Sequence, residues 1–174
     1  MNSSDCFNGS NNLLKNWKNL RSNLTSEKTD FEHLQQVTEF WSHTPLSCRI
    51  LDWDDPSAWL DAWNLMYSNR FDESAVSLGM FYTLLLSGDN RWNQSRLKLM
   101  LLNDRKRHIQ QIILEVDACW LLNLDYNKIV DANTIKKSYD IQQTYAYDGK
   151  KHSSVEKKYI GSAAIIISND SGIL

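Results

Sequence analysis

The chain has 174 residues, with a hydrophobic fraction of 42% and a charged fraction of 23%, which is enough for one domain with a real core. Its formal net charge of −2 excludes the basic excess of a general nucleic-acid or membrane-surface binder. Cys6, Cys48 and Cys119 are an odd, widely spaced set, neither a disulfide framework nor a zinc site, and read as reduced structural thiols.

The opening MNSSDCFNGSNN has no cationic start and no apolar run, so a signal peptide is not expected. No apolar stretch approaches the ~20 residues of a membrane span. Residues 1–12 read as a mobile segment, 13–168 as a single domain and 169–174 as a tail. Leu13, Trp17, Leu20 and Leu24 recur at helical spacing, with Lys15, Lys18 and Arg21 between them. Asp30 is the expected N-cap of a second helix, whose stripe is Phe31, Leu34, Val37 and Trp41 and which ends before Pro45. Asp54-Asp55-Pro56 predicts a third helix, with Trp59, Trp63 and Met66 on one face. The tryptophans between 41 and 63 read as core and inter-helix packing. A sugar- or base-stacking platform would need exposed rings beside basic residues, and only Arg49 and Arg70 are near in sequence.

Asp72 is the expected N-cap of a central helix over 73–86 that is apolar almost all round, the pattern of a helix covered on more than one side. Gly79 in its middle costs about 1 kcal/mol against Ala and implies a close approach by another backbone. From Arg96 the period changes to two. Strands are predicted over 96–103, 108–116 and 119–124, with a short one at 128–130. Residues 141–147 alternate again and meet Asp148-Gly149, a hairpin signal, with 155–160 as the return. Residues 163–168 are the last apolar run. Helices first and then strands with hairpin-length connections give an α+β class, with N-terminal helices packed on an antiparallel β-sheet. Trp59, Trp63, Leu78, Tyr82, Leu99, Ile112, Leu114 and Leu122 are expected to share one core.

The remaining polar residues suggest no cofactor and no metal. Asp52, Asp54 and Asp55 cluster at a helix start, where acids are stabilised anyway, and His33 and His43 lie on separate elements. There is no Gly-rich phosphate loop.

A buried helix followed by strands, with His108 opening one and Asn123 ending the next, resembles the papain-like and transglutaminase-like cysteine enzymes. The likeness is to the bacterial and phage transglutaminase-like cysteine peptidases. His108-Ile109-Gln110-Gln111-Ile112-Ile113-Leu114 and Trp120-Leu121-Leu122-Asn123 stand where that family has its His and its orienting Asp or Asn. The resemblance implies a nucleophilic Cys at the N-terminus of the buried helix, where the dipole and the His lower its pKa. Here that start reads Phe71-Asp72-Glu73-Ser74-Ala75, without a Cys. The resemblance therefore implies a degenerate relative: a non-enzymatic structural or interaction protein, a phage virion component of the tail, neck or baseplate. Its expected partners are proteins, in a homo-oligomer or larger assembly, with no nucleic acid and no membrane. Its expected location is the virion or the cytoplasm. The alternative is a hydrolase or acyl transferase using Ser74, His108 and Asn123.

Overall fold

The computed structural model describes residues 3–47, 51–105, 107–135 and 139–155. The expected strand at 163–168 and the tail at 169–174 lie outside these residues, as does Cys48. The first helix, α1, spans Ser3–Asn23 and so takes in most of the segment 1–12. The second, α2, spans Asp30–Ser42, and its N-cap is Thr29 rather than Asp30. Thr29 and Glu32 form a reciprocal capping box: the Thr29 hydroxyl accepts from the Glu32 N–H, and the Glu32 carboxylate accepts from the Thr29 N–H at 2.7 Å. This leaves Asp30 free, at the first helical position, to pair with Arg91 at 2.8 Å and Arg96 at 2.5 Å. Partial burial alone would raise the Asp30 pKa, but the hydrogen bonds from Arg96 and Arg91 outweigh it and hold the carboxyl below its usual range.

The third helix differs from its expected form. Asp55 and Pro56 open only a single 3-10 turn, Pro56–Ala58. The chain then runs extended through Trp59, and α3 begins afresh at Ala62–Ser68. Asp61 causes the restart, because its carboxylate accepts from both the Trp63 and Asn64 N–H groups. Trp59 and Trp63 therefore do not share a helix face. Trp59 donates its indole N–H to the Asp52 carbonyl and packs at the core margin, whereas Trp63 is 58% exposed and is not a core residue. The other expected members, Leu78, Tyr82, Leu99, Ile112, Leu114 and Leu122, are all buried in one cluster.

Asp72 caps α4, Glu73–Leu85, by accepting from the Ala75 N–H at 2.6 Å. Every residue from Ser74 to Leu84 is buried. Thr83, fully enclosed, joins three helices through one hydroxyl. Its Oγ1 accepts from the Trp17 indole at 2.8 Å and the Trp41 indole at 3.0 Å, and donates to the Gly79 carbonyl at 2.7 Å. Gly79 answers the same constraint, since a Cβ there would fall within the Trp41 ring. The close approach inferred from this glycine is thus made by an indole, not by another backbone.

Six strands among the described residues form one antiparallel sheet: β1 Leu97–Asp104, β2 Ile109–Val116, β3 Trp120–Leu122, β4 Ile129–Asp131, β5 Tyr139–Tyr147 and β6 His152–Val155, in the spatial order β4-β3-β2-β1-β5-β6. The fold is α+β, as its sequence pattern indicates. The helices bury one sheet face, the side of Leu99, Ile112, Leu114 and Val116. Met100, Leu102, Ile113 and Leu121 form a smaller cluster on the other, joined by Ala132 of a short helix, α5, Ala132–Ile135. The β2–β3 turn carries Asp117 and Ala118 at φ 54° and 57°, the two positive values of a tight hairpin turn. In the β5–β6 hairpin the Asp148 carboxylate accepts from the Lys150 and Lys151 N–H groups, so the return strand opens at His152 instead of Val155.

Replacing Thr83 by Val keeps the volume but strands two buried indole N–H groups. We expect Thr83→Val to lower stability by roughly 3 kcal/mol, since an unsatisfied buried donor costs ~1–3 kcal/mol. Urea melts followed by tryptophan fluorescence test this, and a loss below about 1 kcal/mol would contradict the bridging role.

Candidate functional site

The first turn of α4 is the place to look for chemistry, because its free N–H groups and dipole favour negative charge. Asp72 already occupies that end: Oδ1 caps the Ala75 N–H, and Oδ2 accepts from the Leu51 N–H at 2.7 Å. Ser74 follows, 7% exposed and with no hydrogen-bond partner among the described residues. A carboxylate beside it raises the cost of an alkoxide, which starts from a far higher pKa than a thiolate. Cys119 is a free thiol, exposed in the β2–β3 turn at the other end of β3 from Asn123.

Asn123 ends β3 in the left-handed region, at φ 64°. Its side-chain amide donates to the Glu73 carbonyl at 2.6 Å and to the Ser77 hydroxyl at 2.8 Å. Ser77, fully buried, passes the bond on to the Ile112 carbonyl of β2 at 2.7 Å. Gln111 donates its side-chain amide to the Asn123 carbonyl. The sequence-predicted Asn123 is thus brought to the first turn of α4 beside Ser74, but its amide is engaged with the helix.

His108 does not take part in these bonds. It sits in the β1–β2 turn at φ 55°, just before β2 instead of opening it, and it is exposed. Its ring makes no hydrogen bond to Ser74 or Asn123 among the described residues. Side-chain parity explains why the strand cannot substitute. Ile112 and Leu114 face the helices, so the next helix-facing position towards the turn is Gln110, which has no acid–base function. Sequence reading missed Ser77 and Gln111. The available signal was a polar residue at position 77, one turn after Ser74 and followed on that side by the apolar Met80, Phe81 and Leu84.

Neither a family model nor a curated protein sequence matches the chain. Solved structures do. Legionella pneumophila LapG, a transglutaminase-like cysteine protease, superposes with a TM-score of 0.64 at 15% identity, over 81% of this chain and 78% of that one. The fold is transglutaminase-like. Calcium-bound LapG gives a TM-score of 0.64 at 12% identity over 86% of both chains, and the EGTA-treated form 0.62 at 14% over 78% and 73%. At these identities the likeness is one of fold. Among the described residues, no three His, Cys, Asp or Glu side chains converge as metal ligands would. No described helix is long and apolar enough to cross a membrane.

The other titratable groups are built into the packing. His33 is buried, and burial lowers its pKa. Its Nδ1 accepts from the Trp92 indole at 3.0 Å, so Nε2 carries the proton and donates to the Thr25 carbonyl at 2.9 Å. His152 is 3% exposed among the rings of Trp59, Phe81, Tyr82 and Tyr147, with no hydrogen-bond partner for either nitrogen. Burial there pushes its pKa down to about 4.

Asn123→Asp provides the test of the amide's role. An orienting residue for an imidazole tolerates a carboxylate, whereas a clip onto α4 would bring an acceptor against the Glu73 carbonyl. We expect a loss of about 1–3 kcal/mol in urea melts at neutral pH, from the broken bonds and a half-buried carboxylate set against the Glu73 carbonyl. Unchanged stability would show that the amide is not a clip.

His152 sets a pH dependence of definite sign. The unfolded chain takes the proton near 6.5 and the folded one only near 4, so the unfolded state binds more protons between these values. The stabilisation is complete above about pH 6.5 and is lost as pH falls towards 4, by roughly 3 kcal/mol. His152→Phe should lose distinctly less stability than the wild type between pH 7 and pH 4.5; an equal loss would contradict the assignment.

Proposed function

We propose that this chain is a non-enzymatic interaction protein on a transglutaminase-like scaffold that has lost its nucleophile. The observation that carries the reading is the bonding of Asn123. Its amide, at the position of the family's orienting residue, is spent on Glu73 and Ser77 of α4. Three further features support it. The first turn of α4 has no thiol, Asp72 caps that helix end, and His108 is an exposed turn residue whose ring has no hydrogen bond to Ser74 or Asn123 among the described residues. A site of acyl transfer needs its nucleophile and base within reach of one another and a free donor for the developing oxyanion. Here the Ala75 N–H is taken by Asp72, and the Asn123 amide by Glu73 and Ser77.

The protein's place would be within an assembly, a phage virion component being the form that the sequence resemblance suggests. The second reading, a hydrolase or acyl transferase using Ser74, His108 and Asn123, is favoured by the likeness to a cysteine protease fold and by the place of Ser74 in the first turn of α4.

The two readings separate in a turnover assay. Wild-type protein screened against activated esters and a panel of peptide amides should release product at the uncatalysed rate, and Ser74→Ala and His108→Ala should leave that rate unchanged. Turnover that vanishes in both variants would establish the hydrolase instead.

A further inference from the structure

Away from the α4 start, Arg21 is a half-buried cation that stacks on aromatic rings. Arg91, Arg96, Arg105 and Arg107 each pair with an aspartate. Arg21, in the last turn of α1, pairs with no acid among the described residues. Its guanidinium sits over two indoles, with Cζ 3.9 Å from the Trp17 ring centre and 5.2 Å from that of Trp63. The Nε is buried without a hydrogen-bond partner, and Nη1 makes only a long 3.4 Å contact to the Leu86 carbonyl among the described residues. A guanidinium has five N–H groups, so most of its donor capacity is open.

The surroundings are aromatic and exposed. Trp63 and Tyr67 stand one turn apart on α3, so they share a face, and they are 58% and 62% exposed. Trp63 is braced edge-on against Trp17, with ring centres 5.4 Å apart. Lys18, one turn before Arg21 on α1, is exposed and has no acid partner among the described residues. The sequence offered only Arg49 and Arg70 as cations near these rings. The fold brings Arg21 of α1 over the Trp63 ring, with Lys18 one turn before it on the same helix.

We propose that Arg21, Trp63 and Tyr67 form a docking surface for an acidic segment of a protein partner, whose carboxylate takes the open guanidinium N–H groups while its apolar side chains cover the two rings. This rests on the reading of the chain as an interaction protein and names the partner's chemistry. Charge complementarity selects the occupant. Arg21 and Lys18 have no acid partner among the described residues, the Asp61 carboxylate at the start of α3 is taken up by the Trp63 and Asn64 N–H groups, and a carboxylate matches the guanidinium fork. Stacking on the indoles holds Arg21 in place beforehand, so less rotamer freedom is lost on binding. Tryptophan, tyrosine and arginine are also the residues that dominate binding energy at protein interfaces. Nucleic acid fits worse, because its affinity comes from many phosphates neutralised together, and the chain has a net charge of −2.

The test uses the full chain and a soluble glutamate–tyrosine copolymer as the probe, in calorimetric titrations at low salt, with oligothymidylate as a comparison. The wild type should bind the copolymer, more weakly as salt rises. Trp63→Ala, Tyr67→Ala and Arg21→Gln should each weaken it at least tenfold, and Lys18→Glu about threefold. Trp63 and Tyr67 are exposed, so their variants should fold normally and keep the test valid even if Arg21→Gln does not. Four results would each overturn the proposal: no copolymer binding, unchanged affinity in the Trp63 and Tyr67 variants, tighter binding of oligothymidylate, or a dimer in light scattering that those two substitutions break. None of these bears on turnover. Conversely, turnover lost in Ser74→Ala and His108→Ala with copolymer binding intact would remove the non-enzymatic reading alone.

Discussion

The Thr83 hydroxyl is where the helical layer is fixed to the rest of the molecule. Two indole N–H groups arrive from α1 and α2, and neither can reach water. Each would cost on the order of 1–3 kcal/mol unpaired, so the position of one oxygen decides where both tryptophans can lie. Thr83 in turn is anchored to the Gly79 carbonyl, one turn back on α4. Gly79 can have no side chain, because Trp41 occupies the space where a Cβ would stand. Three residue choices that look independent in the sequence are one packing solution.

Much of the architecture was legible in the chain because it depends on local rules. The change of apolar period at Arg96, the Asp72 cap and the Asp148-Gly149 turn report on neighbours a few residues away. The errors fell at helix starts. Asp30 reads as a cap, but the reciprocal bond between Thr29 and Glu32 gives that place to Thr29. Asp54-Asp55-Pro56 reads as the start of a helix through Trp63, but the two backbone bonds of Asp61 begin it later, with Trp63 out in solvent. Long-range facts were not legible at all. Nothing near Gly79 in sequence announces Trp41, and nothing near Trp63 announces Arg21.

The candidate site follows the same division. Its scaffold, a buried helix against a hairpin, could be read from sequence, and Asn123 does reach the helix start. What the sequence did not reveal was the use of its amide. Asn123 adopts a left-handed backbone conformation that Asn tolerates better than most residues, and this aims the amide at Glu73 and Ser77. With Gln111 gripping the Asn123 carbonyl from β2, the residue is a junction between sheet and helix. A strand end that must hold a helix in place has little freedom left to adjust to a substrate.

The bonds at Thr83 also bear on how the chain assembles. The partners on α4 and α2 are 42 residues apart, and those on α4 and α1 are 66 apart. The β1–β2 hairpin, by contrast, closes over a few residues and pairs along its whole length. Closing a longer loop costs more chain entropy, and contacts distant in sequence form more slowly as a result. The topology therefore favours an order of events in which the hairpin and α4 come together early. The two N-terminal helices dock last, and the indoles find their shared acceptor only when the rest of the framework is standing.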